Sequence, residues 1–255
     1  LPILIVCLIA SNYSFARMPK GLMRFQIGYS FPFTTATFKQ HSLTYDDYGD
    51  SNLDTTYSRD VRSKGGFGVT LGTYIPIAQL TEKSSLNLDI DFMYNFLVWD
   101  AAKVNYSGYD NSTGEYTYST NYTITSATVQ MGLPIGLSFK AGGEASMDRG
   151  DKLSFTLGTG VLPSLNATIF DTYAGAKFKL QPYLKAELGF FAGINFKVRA
   201  LYAFGKLEYL NYDDSYAGDT YAYQDQASFT SKSSFLLSVM VMPLSFGWSK
   251  EAWWR

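Results

Sequence analysis

The chain has 255 residues, with 21 Lys and Arg against 22 Asp and Glu, and only 17% of it is charged. A balance this close to neutral excludes electrostatic capture of nucleic acid, which needs a concentrated basic face. The length suits one sizeable all-β domain or two small ones. The mean hydropathy of −0.06 reads as soluble, but such an average hides a chain in which apolar and polar residues alternate.

Residues Leu1 to Ala10 form a continuous apolar run, too short to cross a bilayer as a helix. Ser14-Phe15-Ala16 follows, a small-x-small pattern suited to signal peptidase, and then basic Arg17 and Lys20. Residues 1–16 are therefore expected to be a secretory signal peptide, leaving 17–255 as the mature barrel. The alternative is a buried strand opening the domain. The sole cysteine, Cys7, lies in this segment, and Val6 before it does not suit lipid anchoring. Cleavage after Ala16 removes disulfides, thiol catalysis and cysteine metal sites together.

Eight segments then show a two-residue period, which places successive side chains on opposite faces of a strand. Their spans are about 22–33, 66–77, 86–99, 123–139, 152–161, 178–190, 196–207 and 233–246. The third is the clearest: Leu86, Leu88, Ile90, Phe92, Tyr94, Phe96 and Val98 share one face, and Asn87, Asp89, Asp91, Met93 and Asn95 the other. The first puts Met23, Phe25, Ile27, Tyr29 and Phe31 together; the last is apolar on both faces. These runs exceed the 5–6 residues of an ordinary strand and suit the roughly 9–11 of a tilted membrane-spanning one.

Polar stretches rich in Tyr, Asp, Asn and Ser (34–64, 101–121, 211–231, and a shorter one near 163–177) alternate with tight turns near 78–85, 141–151 and 191–195. Long loops alternating with short turns over an even strand count predict a transmembrane up-and-down antiparallel β-barrel, all-β, with eight strands and both termini periplasmic. A ten-stranded arrangement survives if the segments near 36–45 and 220–230 pair. The competing fold is a soluble β-sandwich, whose half-buried strands alternate in the same way. Packing weighs against it: the Phe and Tyr rings of eight long strands, all turned inward, overfill a closed barrel, whereas in lipid they need no partner.

The runs Met23-Arg24-Phe25-Gln26-Ile27-Gly28-Tyr29, Val129-Gln130-Met131-Gly132-Leu133-Pro134-Ile135-Gly136-Leu137 and Phe155-Thr156-Leu157-Gly158-Thr159-Gly160-Val161 resemble the small outer-membrane β-barrel proteins of Gram-negative bacteria, of the eight-stranded OmpX/OmpA-barrel type. The resemblance covers about Leu22 to Phe246 and implies an outer-membrane location, among outer-membrane lipid and lipopolysaccharide. Many members close their last strand with an aromatic residue, whereas this chain continues through Phe246-Gly247-Trp248 to Trp253-Trp254-Arg255.

Alternation turns Arg24, Asp89, Asp91, Lys179, Lys185, Glu187, Lys197 and Arg199 into the lumen, with Glu187 near Arg199 or Lys197. They predict either an ion-selective pore or, because eight strands leave little room, a salt-bridged plug. His41 beside Ser42, with Asp46 and Asp47 nearby in the first long loop, has the residue types of a nucleophile, a base and an orienting group. Some outer-membrane barrels modify lipid A with a His and a Ser. The acidic residues Asp46, Asp47, Asp50 and Asp54, and later Asp213, Asp214 and Asp219, lack calcium-loop spacing. Tyrosines give large amphipathic contact area. That makes Tyr106, Tyr109, Tyr116 and Tyr118 in one loop, and Tyr212, Tyr216 and Tyr221 in another, candidates for partner contact. Trp248, Trp253 and Trp254 are the candidates at the opposite end. The expectation is a barrel without catalysis or cofactor, serving as an accessory subunit of a larger outer-membrane assembly or as a surface-binding barrel, with a protein partner in that membrane. The alternatives are a lipid A-modifying enzyme acting through His41 and Ser42, and a small-solute pore.

Overall fold

The structure, a computed structural model, describes residues 20–46, 53–105, 108–110, 115–117, 121–170, 173–217 and 221–249. The expected signal peptide with Cys7, and Tyr106, Tyr118, Trp253 and Trp254, lie outside them. A single helical turn, α1 (Lys20–Met23), leads into β1 (Gln26–Asp46), β2 (Leu53–Thr81) and β3 (Ser84–Asn105). A small hairpin follows, β4 (Gly108–Asp110) with β5 (Glu115–Thr117), then β6 (Asn121–Gly132), β7 (Ile135–Gly142) and a second helical turn, α2 (Gly143–Ser146). The chain ends with β8 (Leu153–Phe170), β9 (Tyr173–Ala192), β10 (Ile194–Ala217), β11 (Tyr221–Met242) and a 3-10 turn at Ser245–Gly247.

β6 and β7 are one crossing strand. Their register against β3 passes from Met93–Gly132 to Ile90–Ile135, and against β8 from Ser164–Gly132 to Val161–Ile135, without a shift. The interruption falls at Pro134, which has no N–H to give the ladder; its carbonyl still accepts from the Asp91 amide at 2.9 Å. Every neighbour pair is antiparallel, and β1 pairs with both β2 and β11, so the sheet closes as a ring of eight strands. The segments near 36–45 and 220–230 do pair, but as the upper ends of β1 and β11, which removes the ten-stranded arrangement.

The apolar residues look outward. Phe92 is 43% exposed, Leu184 53% and Val198 45%, whereas Asp91 and Lys185 are 1% and 3% exposed. A continuous apolar band of this kind, from Ile27, Tyr29, Phe31 and Phe33 on β1 round to Phe235 and Val239 on β11, is untenable in water and at home in hydrocarbon. The fold is a transmembrane up-and-down barrel.

Two expectations are corrected. Leu22 and Met23 belong to α1 rather than to the first strand, and Met23 is buried inside. The stretches 34–64, 101–121 and 211–231 are mostly strand, and β1, β2, β10 and β11 run 21, 29, 24 and 22 residues. At about 3.3 Å per residue these strands outreach a hydrocarbon core of about 30 Å even when tilted, so the sheet continues beyond the band as a projecting wall. We call this the tall end and the opposite one the turn end.

Candidate functional site

Strand alternation places Asp89 and Asp91 of β3, Lys185 and Glu187 of β9, and Lys197 and Arg199 of β10 on inward faces, two residues apart on each strand. Lys140 of β7 and Glu144 of α2 join them. Arg199 Nε donates to Glu187 Oε1 at 2.6 Å, and its Nη1 lies 3.0 Å from Asp91 Oδ2. Lys185 Nζ is 2.6 Å from Asp89 Oδ2. Lys197 Nζ bridges Glu144 Oε1 at 2.5 Å, Glu187 Oε2 at 3.1 Å and Gln26 Oε1 at 3.0 Å. Lys140 Nζ meets Glu144 Oε1 at 2.8 Å and sits 4.4 Å from the centre of the Tyr74 ring. Four carboxylates face four cations, all essentially buried. Burying any one of these charges alone would cost several kcal/mol, so the balance is what makes the cluster tolerable. Arg24 stands apart at the turn end, its guanidinium 5.7 Å from the Tyr74 ring and its Nη2 3.8 Å from Met147 Sδ. Lys179 is also outside the cluster: it pairs with Glu208 at 3.0 Å, at the tall end.

Below the ions, α2 tucks into the mouth. Tyr74 donates its hydroxyl to the Glu144 carbonyl at 3.1 Å, and Met23, Met147, Met242 and Trp248 pack around that ring. Trp248 is thus not an exposed contact residue. After β11 the chain turns back through Ser245, whose Oγ accepts from the Asn195 amide at 2.6 Å. The indole, 1% exposed, then donates to the Met23 carbonyl at 3.1 Å and closes the turn end. Outside, Lys83 grips Asp151 at 2.7 Å, and that hydrogen bond raises the lysine pKa.

Above the ions a polar layer, including Ser30 bonded to Thr70 and Ser238 at 2.6 and 2.9 Å, gives way to an aromatic cap. Trp99 packs edge-on against Phe229 at 4.6 Å and Tyr209 at 5.1 Å, with Phe38, Val61, Leu97 and Leu207 around them. Its Nε1 donates to Thr128 Oγ1 at 2.9 Å. The Tyr212 ring packs at a tilt against Tyr173, 4.9 Å between centres, and its hydroxyl donates to Asp214 Oδ2 at 3.1 Å. Tyr109 and Tyr116 face each other across the β4–β5 hairpin, and Tyr216 pairs with Tyr223 near Tyr221 at the top of β10 and β11. The side chains of Tyr109, Tyr116, Tyr216 and Tyr221 lie outside the described residues.

His41 and Ser42 are in β1, not in a loop, opposite Gln226 and Asp225 of β11. Consecutive strand positions alternate between faces. Lys140 shares the inward face of β7 with Ser138, the polar side on which the sequence alternation already sets it, although it was not counted there among the lumen charges. Glu144 carries no such signal, because a single helical turn in a connection has no period to read.

No family profile matches the chain, and no curated protein does. Among solved structures it is similar to the outer-membrane protease OmpT of Escherichia coli at 10% identity, over 88% of this chain and 100% of that one, with a TM-score of 0.32. It is also similar to OprG of Pseudomonas aeruginosa at 10% identity, over 84% and 94%, with a TM-score of 0.34. The attachment invasion locus protein Ail of Yersinia pestis matches at 11% identity, over 81% and 98%, with a TM-score of 0.26. These likenesses concern the barrel fold and carry nothing about activity. They do correct one expectation. Barrels of this kind include a protease, so the exclusion of catalysis drawn from the sequence is withdrawn.

Proposed function

We propose that this chain, which folds as a small eight-stranded β-barrel of the outer-membrane type, works through its outer surface as an interaction barrel of a bacterial outer membrane. The closed interior carries this reading. Methionine and tryptophan fill the turn end, a balanced ion cluster the middle and an aromatic cap the tall end. Such filling disfavours a solute pore. What remains available is the wall of β1, β2, β10 and β11 beyond the apolar band, a rigid platform for a protein partner or surface ligand.

The short connections support an orientation with the turn end in the periplasm, together with the start of β1 and the end of β11, and with the tall end outside. A photo-cross-linking residue at Lys39 or Ser228, paired outward positions of the projecting wall, should give a discrete adduct in intact cells. The purified barrel should show no steady single-channel steps in planar bilayers. Steady steps together with absent adducts would overturn the proposal.

A further inference from the structure

On the outer wall a groove of about 650 Å³ runs along β1 between β2 and β11, at the upper rim of the apolar band. A flat sheet surface has no such groove; bulges make this one. The β1–β2 register slips between Ser30 and Thr35, where Pro32 interrupts the ladder, and the β1–β11 register slips between Thr34 and Ala36. The lining is layered. At the bottom lie Phe33, Phe235 and Tyr202, with the two phenylalanine rings 6.2 Å apart. One step up, Thr35 is register partner to Arg62 on one side, and the bulge sets Lys232 on the other. Above them Thr37 donates to Asp60 Oδ1 at 2.6 Å.

We infer that this groove binds the head of a phosphorylated glycolipid of the outer leaflet, with its acyl chains on the aromatic floor, a phosphate between Arg62 and Lys232, and sugar hydroxyls donating to Asp60. Each layer asks for one part of such a molecule. Two exposed cations, Arg62 and Lys232, flanking the Thr35 hydroxyl suit a phosphate, which guanidinium and ammonium bind with charge-assisted bonds. The carboxylate beside them repels a bare anion and welcomes a hydroxyl. The floor continues into the band already covered by hydrocarbon. The inference rests on the orientation proposed above, with the tall end at the outer leaflet.

The test is native mass spectrometry of the purified barrel in neutral detergent with diphosphoryl lipid A, dephosphorylated lipid A and phosphatidylglycerol. Diphosphoryl lipid A should be retained best, and the Arg62→Ala/Lys232→Ala variant should lose roughly tenfold or more in retention. A Lys83→Ala/Arg149→Ala variant, which removes equal charge at the turn end, should bind as the wild type does. Equal binding by the groove variant, or equal retention of phosphatidylglycerol, would overturn the site. Both variants are checked for folding by their strand circular dichroism. The orientation fails separately: a Thr230→Cys variant labelled by an impermeant maleimide only after permeabilisation overturns it, while the lipid selectivity still judges the groove.

Discussion

Tyr183 and Ala203 are the last partners of the ladder between β9 and β10. Above them, among the described residues, no backbone pair joins the two strands. Pro182 has no N–H to extend the pairing, and Gly205, at φ +103°, takes a conformation that L side chains rarely adopt and starts a bulge toward β11. Side chains close the seam instead: Gln181 Nε2 donates to the Gly205 carbonyl at 3.1 Å, Lys179 pairs with Glu208, and the rings of Tyr173 and Tyr212 meet at 4.9 Å. Hydrogen exchange in peptides covering 204–217 should therefore outpace that in 194–203, where β10 is paired on both sides. Equal protection would mean the seam is closed by backbone.

The same seam should respond to acid. Hydrogen bonds from Lys179 and Lys206 hold the Glu208 carboxyl below its ordinary range, and the residue lies beyond the apolar band. A carboxyl depressed in the folded state stabilises it above the unfolded pKa of about 4.3 and stops doing so as pH falls through the lower folded value. Exchange in 204–217 should quicken selectively below about pH 4. In Glu208→Gln it should already be fast at neutral pH and show no such step.

Much of the membrane-embedded half was legible because one rule governs it: apolar out, polar in. In β1 that rule places Ile27, Tyr29, Phe31 and Phe33 outward. Beyond Thr34 the environments exchange. The outside meets water and carries Thr35, Thr37 and Lys39, while the inside is the aromatic cap and receives Ala36 and Phe38. The apolar residues thus change from odd to even positions within one continuous strand, and a reading tuned to the first phase takes the second for loop. Bulges in β10 and β11 blur the switch further. Trp248 was misplaced for a different reason: its burial depends on the chain folding back through Ser245, a long-range contact with no local pattern.

The ion cluster should be intolerant of losing a single charge. Glu187 lies within ion-pair distance of Arg199, Lys197, Lys185 and Lys140. Glu187→Gln leaves three carboxylates to four cations and should cost about 3–5 kcal/mol in urea unfolding from lipid vesicles. Adding Lys197→Met restores the balance, so the double variant should lose less than the sum of the two single ones. Additive losses would show that these side chains do not act as one network.

The aromatic cap makes a contrasting prediction. Trp99→Ala removes the ring on which Tyr209 and Phe229 pack and leaves Thr128 Oγ1 without its indole donor. The loss should be about 3–5 kcal/mol. Conductance should nevertheless stay absent in planar bilayers, because the ion cluster below is untouched; steady steps in this variant would place the only barrier at the tall end.

Gly72 fixes where the cluster can sit. It lies on the inward face of β2, in register with Gln26 of β1 and Asp91 of β3. The space a Cβ would fill there is occupied by the Asp91 carboxylate and the Gln26 amide, which donates to Asp91 Oδ1 at 3.0 Å. Gly72→Ala must push Asp91 away from Arg199 and Lys185, so one methyl group disturbs three charges. Strain of about 1–3 kcal/mol is the ordinary cost of overpacking, and the weakened ion pairs add to it. The loss should shrink when Gln26→Ala is added, because that truncation vacates part of the crowded space. If Gly72→Ala proves neutral in urea unfolding, Asp91 has room to move and the cluster is looser than its distances imply.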